Sequence, residues 1–245
     1  MKRFFSFLLF VFSMPLWALN NTVPNANELV SILDSYRGYN DSGFTMQTTT
    51  VSYKKNRKPR TNQVLVKVLG DKSHVTFESP AREKGRMILS RDNNMWIYFP
   101  GTRKVVRITA AQKLLGEASN GDILGTALST HYSAKIIGET KIEETDTFKL
   151  ELLANHKKAS YPRIVFYMDK NSQHKPIKSD YFSRSGKLLK SAFYKGFMQV
   201  NGEEKIHKML FVNPLIEGSY TWMRFDNMRK SQLPETLFNK SNLVN

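Results

Sequence analysis

The chain contains no cysteine. That excludes disulfide frameworks, Cys-ligated zinc, iron–sulfur clusters, CxxC redox chemistry and thiol nucleophiles, and it excludes anchoring through a lipidated N-terminal Cys. Acidic residues are few: 21 Asp+Glu stand against 37 Lys+Arg, a net charge of +16. Beyond residue 18 no segment approaches ~18 continuous apolar residues, so the mature chain reads as soluble. The five histidines (74, 131, 156, 174 and 207) show no HExxH or other close spacing, so no metal site is expected. G-x-S-x-G, Walker and G-x-G-x-x-G motifs are missing. Glu143-Glu144 and Glu203-Glu204 are adjacent pairs, and neighbours on a strand point to opposite faces, which rules out an acid/base dyad. The expectation is a non-enzyme without cofactor.

What is present fits a globular protein. With 245 residues, 40% hydrophobic and 24% charged, the chain is too apolar to stay disordered and long enough for one all-β domain. Residues 1–18, MKRFFSFLLFVFSMPLWA, carry Lys2 and Arg3 ahead of an apolar run from Phe4 to Phe12 and end in the small residue Ala18. They read as a cleaved secretory signal. The run is short of the ~20 residues a spanning helix needs, and Ser6, Ser13 and Pro15 interrupt it. Cleavage leaves a charge of +14 and a single domain over 19–245.

Asn27 reads as an N-cap for an amphipathic helix with Leu29, Ile32, Leu33 and Tyr36 on one face and Gly38 at its end. From residue 43 the period becomes 2. Strands are expected around Phe44/Met46, Val64–Val68, Val75/Phe77, Met87/Leu89, 95–99 and 104–108, then at 134–138, 147–153, 163–168, 178–182, 188–197, 208–212 and 219–225. Turns fall at Pro100-Gly101-Thr102, 169–172, Ser185-Gly186 and Asn201-Gly202. Residues 110–129 break the pattern and predict two short helical pieces around a Gly/Asn loop. Pro234 stands at a plausible first helical position, followed by Leu237, Phe238 and Leu243. About a dozen antiparallel strands must curl, since flat sheets of that width are unusual. The expected fold is mainly β (α+β): a curled antiparallel sheet forming an unclosed half β-barrel, with helices plugging the concave face.

Two features bear on function. Lys54, Lys55, Arg57, Lys58 and Arg60 crowd one hairpin tip; such a basic surface attracts anionic lipid or an acidic partner, or only keeps sheet edges apart. Export makes nucleic acid an unsuitable partner. The second feature is apolar. Phe44, Met46, Val64, Val66, Phe77, Met87, Leu89, Trp96, Tyr98, Leu124, Phe148, Leu150, Phe166 and Met168 are the candidates for lining the interior. Each alone is ordinary core. Together they would line a half-barrel with few helices to fill it, a natural site for an acyl chain.

The signal peptide, the helix ending near Tyr36, Lys84-Gly85-Arg86-Met87-Ile88-Leu89 with Met95-Trp96-Ile97-Tyr98-Phe99-Pro100, Gly116-Glu117-Ala118-Ser119-Asn120-Gly121-Asp122-Ile123-Leu124 and the end Leu233-Pro234-Glu235-Thr236-Leu237-Phe238 resemble the outer-membrane lipoprotein-sorting protein family, relatives of the lipoprotein carrier LolA. The resemblance implies a periplasmic location, a ligand that is a lipid or a lipoprotein's acyl chains, and an RND-type inner-membrane transporter as partner. A carrier with the helix at 28–37 and segment 110–128 as a movable lid is the leading expectation. The alternative is an accessory protein of an RND-type exporter, docking through the basic hairpin with a filled interior.

Overall fold

The computed structural model describes residues 24–38, 43–124, 127–171 and 173–244, without the side chains of 114 and 124. The expected signal peptide and part of the 169–172 turn lie outside the described residues. Helix α1 (Ala26–Arg37) opens the fold, followed by β1 (Phe44–Tyr53), β2 (Arg60–Leu69), β3 (Lys72–Ser79), β4 (Met87–Arg91), β5 (Asn94–Phe99) and β6 (Lys104–Ile108). A middle segment comprises β7 (Lys113–Leu115), β8 (Ala118–Ser119), α2 (Asn120–Leu124) and α3 (Leu128–His131). Then come β9 (Tyr132–Ile142), β10 (Thr145–Ala154), β11 (Arg163–Asp169), β12 (Pro176–Phe182), β13 (Leu188–Val200), β14 (Glu203–Val212) and β15 (Tyr220–Lys230). The tail forms two 3₁₀ helices, Glu235–Phe238 and Lys240–Leu243.

Thirteen strands make one antiparallel sheet in the order β6-β5-β4-β3-β2-β1-β15-β14-β13-β12-β11-β10-β9. Each strand pairs with its sequence neighbour, apart from the closure of β1 on β15, so the sheet is two meanders joined through the chain's ends. It does not close, and β6 and β9 remain free edges. This is the expected unclosed half-barrel. Asn201 and Gly202, both at positive φ (51° and 80°), make the β13–β14 turn that Asn-Gly specifies.

Helix α1 starts two residues earlier than expected. Asn25, not Asn27, is the N-cap: its side chain accepts from the Glu28 N–H while Glu28 returns a bond to the Asn25 N–H, a reciprocal capping box. Leu29, Val30, Leu33 and Tyr36 are buried in the main core. The middle segment is a larger correction. Its first part is not helical but the two-strand hairpin β7–β8. Gly116 turns that hairpin at φ +67°, where a Cβ would fall 2.0 Å from Ser52 Oγ. Only glycine lets the turn lie so close to β1 and β15.

The main core gathers the inner faces of the strands, including Phe44, Met46, Val64, Val66, Phe77, Phe148, Leu150, Phe166 and Met168, with the buried face of α1. Met87, Leu89, Trp96 and Tyr98 correct the expected register. They lie on the opposite face, in a second cluster built with Phe238, Leu243, Leu233 and Leu237 of the tail. Ile88, Met95 and Ile97 take the inner positions. The reason is that β4 and β5 are covered on both faces, so apolar residues occupy both phases and period 2 does not distinguish them.

His74 lies opposite Leu89 in the β3–β4 pairing and is 7% exposed. Burial, with Lys67 opposite on β2, lowers its imidazole from 6.5 to about 4. The unfolded chain therefore binds a proton that the fold refuses once pH drops below about 6.5, so stability present at neutral pH is lost as pH falls from 6.5 toward 4. The loss attributable to His74 is on the order of 3 kcal/mol. Urea midpoints measured across that range should decline less steeply in His74→Gln; an identical decline would remove His74 as the cause.

Candidate functional site: the interior anchors and the mouth cavity

Two buried carboxylates fasten the middle segment inside the half-barrel. Asp122 of α2 pairs with Lys190 of β13, and the Lys190 side chain is fully buried. The Lys190 ammonium sits 4.9 Å from the Tyr161 ring centre, 4.6 Å from Tyr181 and 4.4 Å from Phe211, so aromatic faces supply what water would otherwise give. Asp122 also accepts from the Ser119 N–H and hydroxyl and from the Tyr161 hydroxyl. Burial pushes Lys190 down, against the pull of Asp122, and holds the Tyr161 and Tyr181 phenols well above their usual range. Both phenols are therefore neutral: Tyr161 donates to Asp122, and Tyr181 accepts from the Ser179 hydroxyl at 3.1 Å. The second anchor is Glu117 beside Gly116. It accepts from Lys113, from Asn213 at 2.9 Å and from Ser219 at 2.7 Å, while its N–H donates to Thr221. Burial acts to raise the Glu117 carboxyl, and the bonds from Lys113, Ser219 and Asn213 outweigh it, leaving the group below the ordinary carboxylate range.

Helix α1 holds the next element in the same manner. Asp34 accepts from the backbone N–H groups of Leu128 and Ser129 and from the Ser129 hydroxyl, which satisfies orphan donors at the start of α3. One helix thus positions the other across the interior.

Beneath these elements the inner strand faces and helix α1 pack into one buried core. Beside Met46, between Asp122, Tyr181, Tyr194 and Phe211, about 30 Å³ is open, room for one or two waters. Another space is at the mouth, by the end of edge strand β6 and the start of edge strand β9. A cavity of about 440 Å³ lies there, within the range of small-molecule sites. Met95, Ile108, Ala110, Tyr132 and Ala159 give it apolar walls. Arg107 of β6 and Lys158 of the β10–β11 loop both donate to Asn94 Oδ1, so one amide oxygen joins the two sides of the gap. His131 and His156 meet on the same wall, Nδ1 to Nε2 at 2.8 Å. Burial and the neighbouring imidazole lower His131.

The sequence-derived candidates divide clearly. Phe44, Met46, Val64, Val66, Phe77, Phe148, Leu150, Phe166 and Met168 are packed in the main core, and none of them lines the mouth cavity. Met87, Leu89, Trp96 and Tyr98 are on the other face, and the Leu124 side chain lies outside the described residues. Lys54, Lys55, Arg57, Lys58 and Arg60 are exposed at the β1–β2 tip, as the sequence places them. Asp122, Lys190, Glu117 and the histidine pair were not singled out from sequence. Lys190 did leave a signal: it is in phase with Ala192 and Tyr194, which are buried on the inner face of β13. Among the described residues no group of three or more His, Asp or Glu is placed to hold a metal ion, and no helix is long and apolar enough to cross a membrane.

The curled, unclosed sheet with helices across its interior is the LolA-like half-barrel. A LolA superfamily protein from Nitrosomonas europaea has the same fold with TM-score 0.83 at 23% identity, over 89% of this chain and 99% of that one. An outer membrane lipoprotein-sorting protein domain from Vibrio parahaemolyticus gives 0.75 at 22% identity, over 90% and 100%, and a DUF1329 family protein from Desulfovibrio piger gives 0.74 at 22%, over 89% and 97%. No curated protein matches. Residues 70–245 match the model of a family described as "Uncharacterized protein", and the chain belongs to that family.

Proposed function

We propose that the protein is a periplasmic carrier that shields the acyl chains of a lipid or lipoprotein. The observation that carries this reading is the cavity between the two free edges of the sheet, whose walls include the main-core residues Met95, Ala110 and Tyr132. An acyl chain entering there meets apolar surface continuous with the interior. Each buried CH₂ contributes about 0.8 kcal/mol without any directional chemistry, and no catalytic step is required. Helix α1 and segment 110–128 act as the lid; its displacement would open the core face that Phe44, Met46, Phe148 and Phe166 line. The fold shared with lipoprotein-sorting proteins supports the reading. An RND-type transporter as membrane partner rests on the sequence resemblance, and the comparisons lend nothing to the exporter-accessory alternative.

Ala159 is partly buried on the cavity wall, where added bulk fills space without entering the core. Delipidated wild-type protein should bind a fluorescent fatty acid saturably, and Ala159→Trp should weaken that binding by roughly tenfold or more, the worth of two or three methylenes denied contact. A folded wild-type protein without saturable binding would sink the proposal. Equal binding by a folded Ala159→Trp would place the ligand elsewhere.

A further inference from the structure

One end of the sheet combines charge and exposed apolar surface in a way the cavity does not use. Pairing of β1 with β15 sets the β1–β2 tip beside the β14–β15 turn, and Lys55 reaches Glu217 at 2.8 Å. That turn, Asn213-Pro214-Leu215-Ile216-Glu217-Gly218-Ser219, presents Leu215 and Ile216 at 51% and 55% exposure. Two adjacent large aliphatic side chains therefore project from the end of the sheet. Cations flank them on both sides. Lys54, Lys55, Arg57, Lys58 and Arg60 stand on one flank, continued by Arg82, Lys84 and Arg86 on the β3–β4 turn, which Arg60 joins through Glu83 at 2.7 Å. Arg184 and Lys187 stand on the other, in the β12–β13 turn, whose strand β13 pairs with β14. The carboxylates in these four turns are Glu83 and Glu217. Glu83 is bound by Arg60, Arg82 and Arg86, whereas Lys54, Arg57, Lys58, Lys84, Arg184 and Lys187 have no carboxylate partner among the described residues. Turns at the other ends of these and neighbouring strands carry Asp71, Asp92, Glu143 and Glu144, against Lys170 and Lys175 in the β11–β12 turn. Cations thus dominate the turns at this end, and carboxylates outnumber cations in the turns at the other.

We propose that this end docks on an anionic lipid bilayer, with Leu215 and Ile216 entering the headgroup boundary and the surrounding Lys and Arg side chains meeting lipid phosphates. Cations at a bilayer surface and a small apolar insertion each give marginal binding alone and stable binding together. A membrane fits better than an acidic protein because the apolar residues protrude on a turn. A peptide partner would be better served by a groove. Lys and Arg can also lay their methylene stems along the boundary while their heads stay in water. The surface is distinct from the mouth cavity and does not depend on the carrier reading.

The test is sedimentation of the mature chain with vesicles. Binding is expected to phosphatidylglycerol–phosphatidylcholine vesicles and not to phosphatidylcholine alone, and it should fade with added salt as the screening length shrinks from about 10 Å at 0.1 M to about 3 Å at 1 M. Lys54→Gln/Arg57→Gln/Lys58→Gln and, separately, Leu215→Ser/Ile216→Ser should each reduce binding by at least about tenfold. All five positions are exposed, so thermal unfolding should be unchanged. Equal binding to neutral vesicles, absence of vesicle binding, or binding indifferent to Leu215→Ser/Ile216→Ser would overturn the proposal. Capture by polyglutamate without capture by vesicles would overturn it in favour of an acidic protein.

Discussion

Replacing Lys190 by methionine alone should destabilise the fold by about 3–5 kcal/mol, the usual consequence of leaving one member of a buried ion pair without its partner. The ground is specific. Lys190 is fully buried on the inner face of β13, and Asp122 is held in place by Ser119 and Tyr161, so the carboxylate cannot turn to water without unmaking those bonds. Lys190→Met with Asp122→Asn should recover most of the loss, because a methionine of similar length fits among Tyr161, Tyr181 and Phe211 and the amide keeps a hydrogen-bonding role. Urea unfolding of the two single variants and the double variant gives the coupling directly. A loss below about 1 kcal/mol for Lys190→Met would mean that the pair is not a buried anchor. Because the pair fastens α2 to the sheet, the single variants should also be cut faster by protease within segment 110–128 than the wild type.

The other large effect is expected far from the mouth. Phe238 of the tail is fully buried in the cluster with Leu89 and Leu243. Phe238→Ala should cost about 3–5 kcal/mol, combining lost transfer free energy with the cavity left behind. In a chain of this length that corresponds to a fall of roughly 10 °C in Tm. Lys240→Ala, on the exposed side of the same tail, should change stability by less than about 0.5 kcal/mol. A shift of only a degree or two for Phe238→Ala would show that the tail contributes little to holding the outer face of β3 and β4. The binding proposed for the mouth cavity should survive the substitution, since the tail covers the other face of the sheet.

Those two sites show how far residue patterns reach. The strands of the second meander were legible because β9 to β15 combine clear alternation with turn residues such as Asn201-Gly202. Helix α1 was legible from its apolar stripe and its terminal Gly38, with the cap misplaced by two residues because Asn25 and Asn27 are equally good cap residues and only Asn25 stands three before Glu28. On β4 and β5 the pattern misled, since a tail more than 130 residues away in sequence covers their outer face. Hairpin β7–β8 was missed because three-residue and two-residue strands carry too little periodicity to separate from a short helix.

Composition and order of residues alone determined much of what this protein is. They excluded thiol and disulfide chemistry, set a strongly basic charge, placed five of the cations on one hairpin and required a long antiparallel meander that had to curl. Tertiary structure alone decided where open space lies. It packed the apolar residues of the inner faces into one core, put Asp122 against Lys190 across 68 positions of sequence, and left a cavity by the edges β6 and β9. The physical reason is that burial of a single charge is tolerable only beside its partner, and that partner, like the face a strand residue takes, is set by packing between distant segments that no local pattern records.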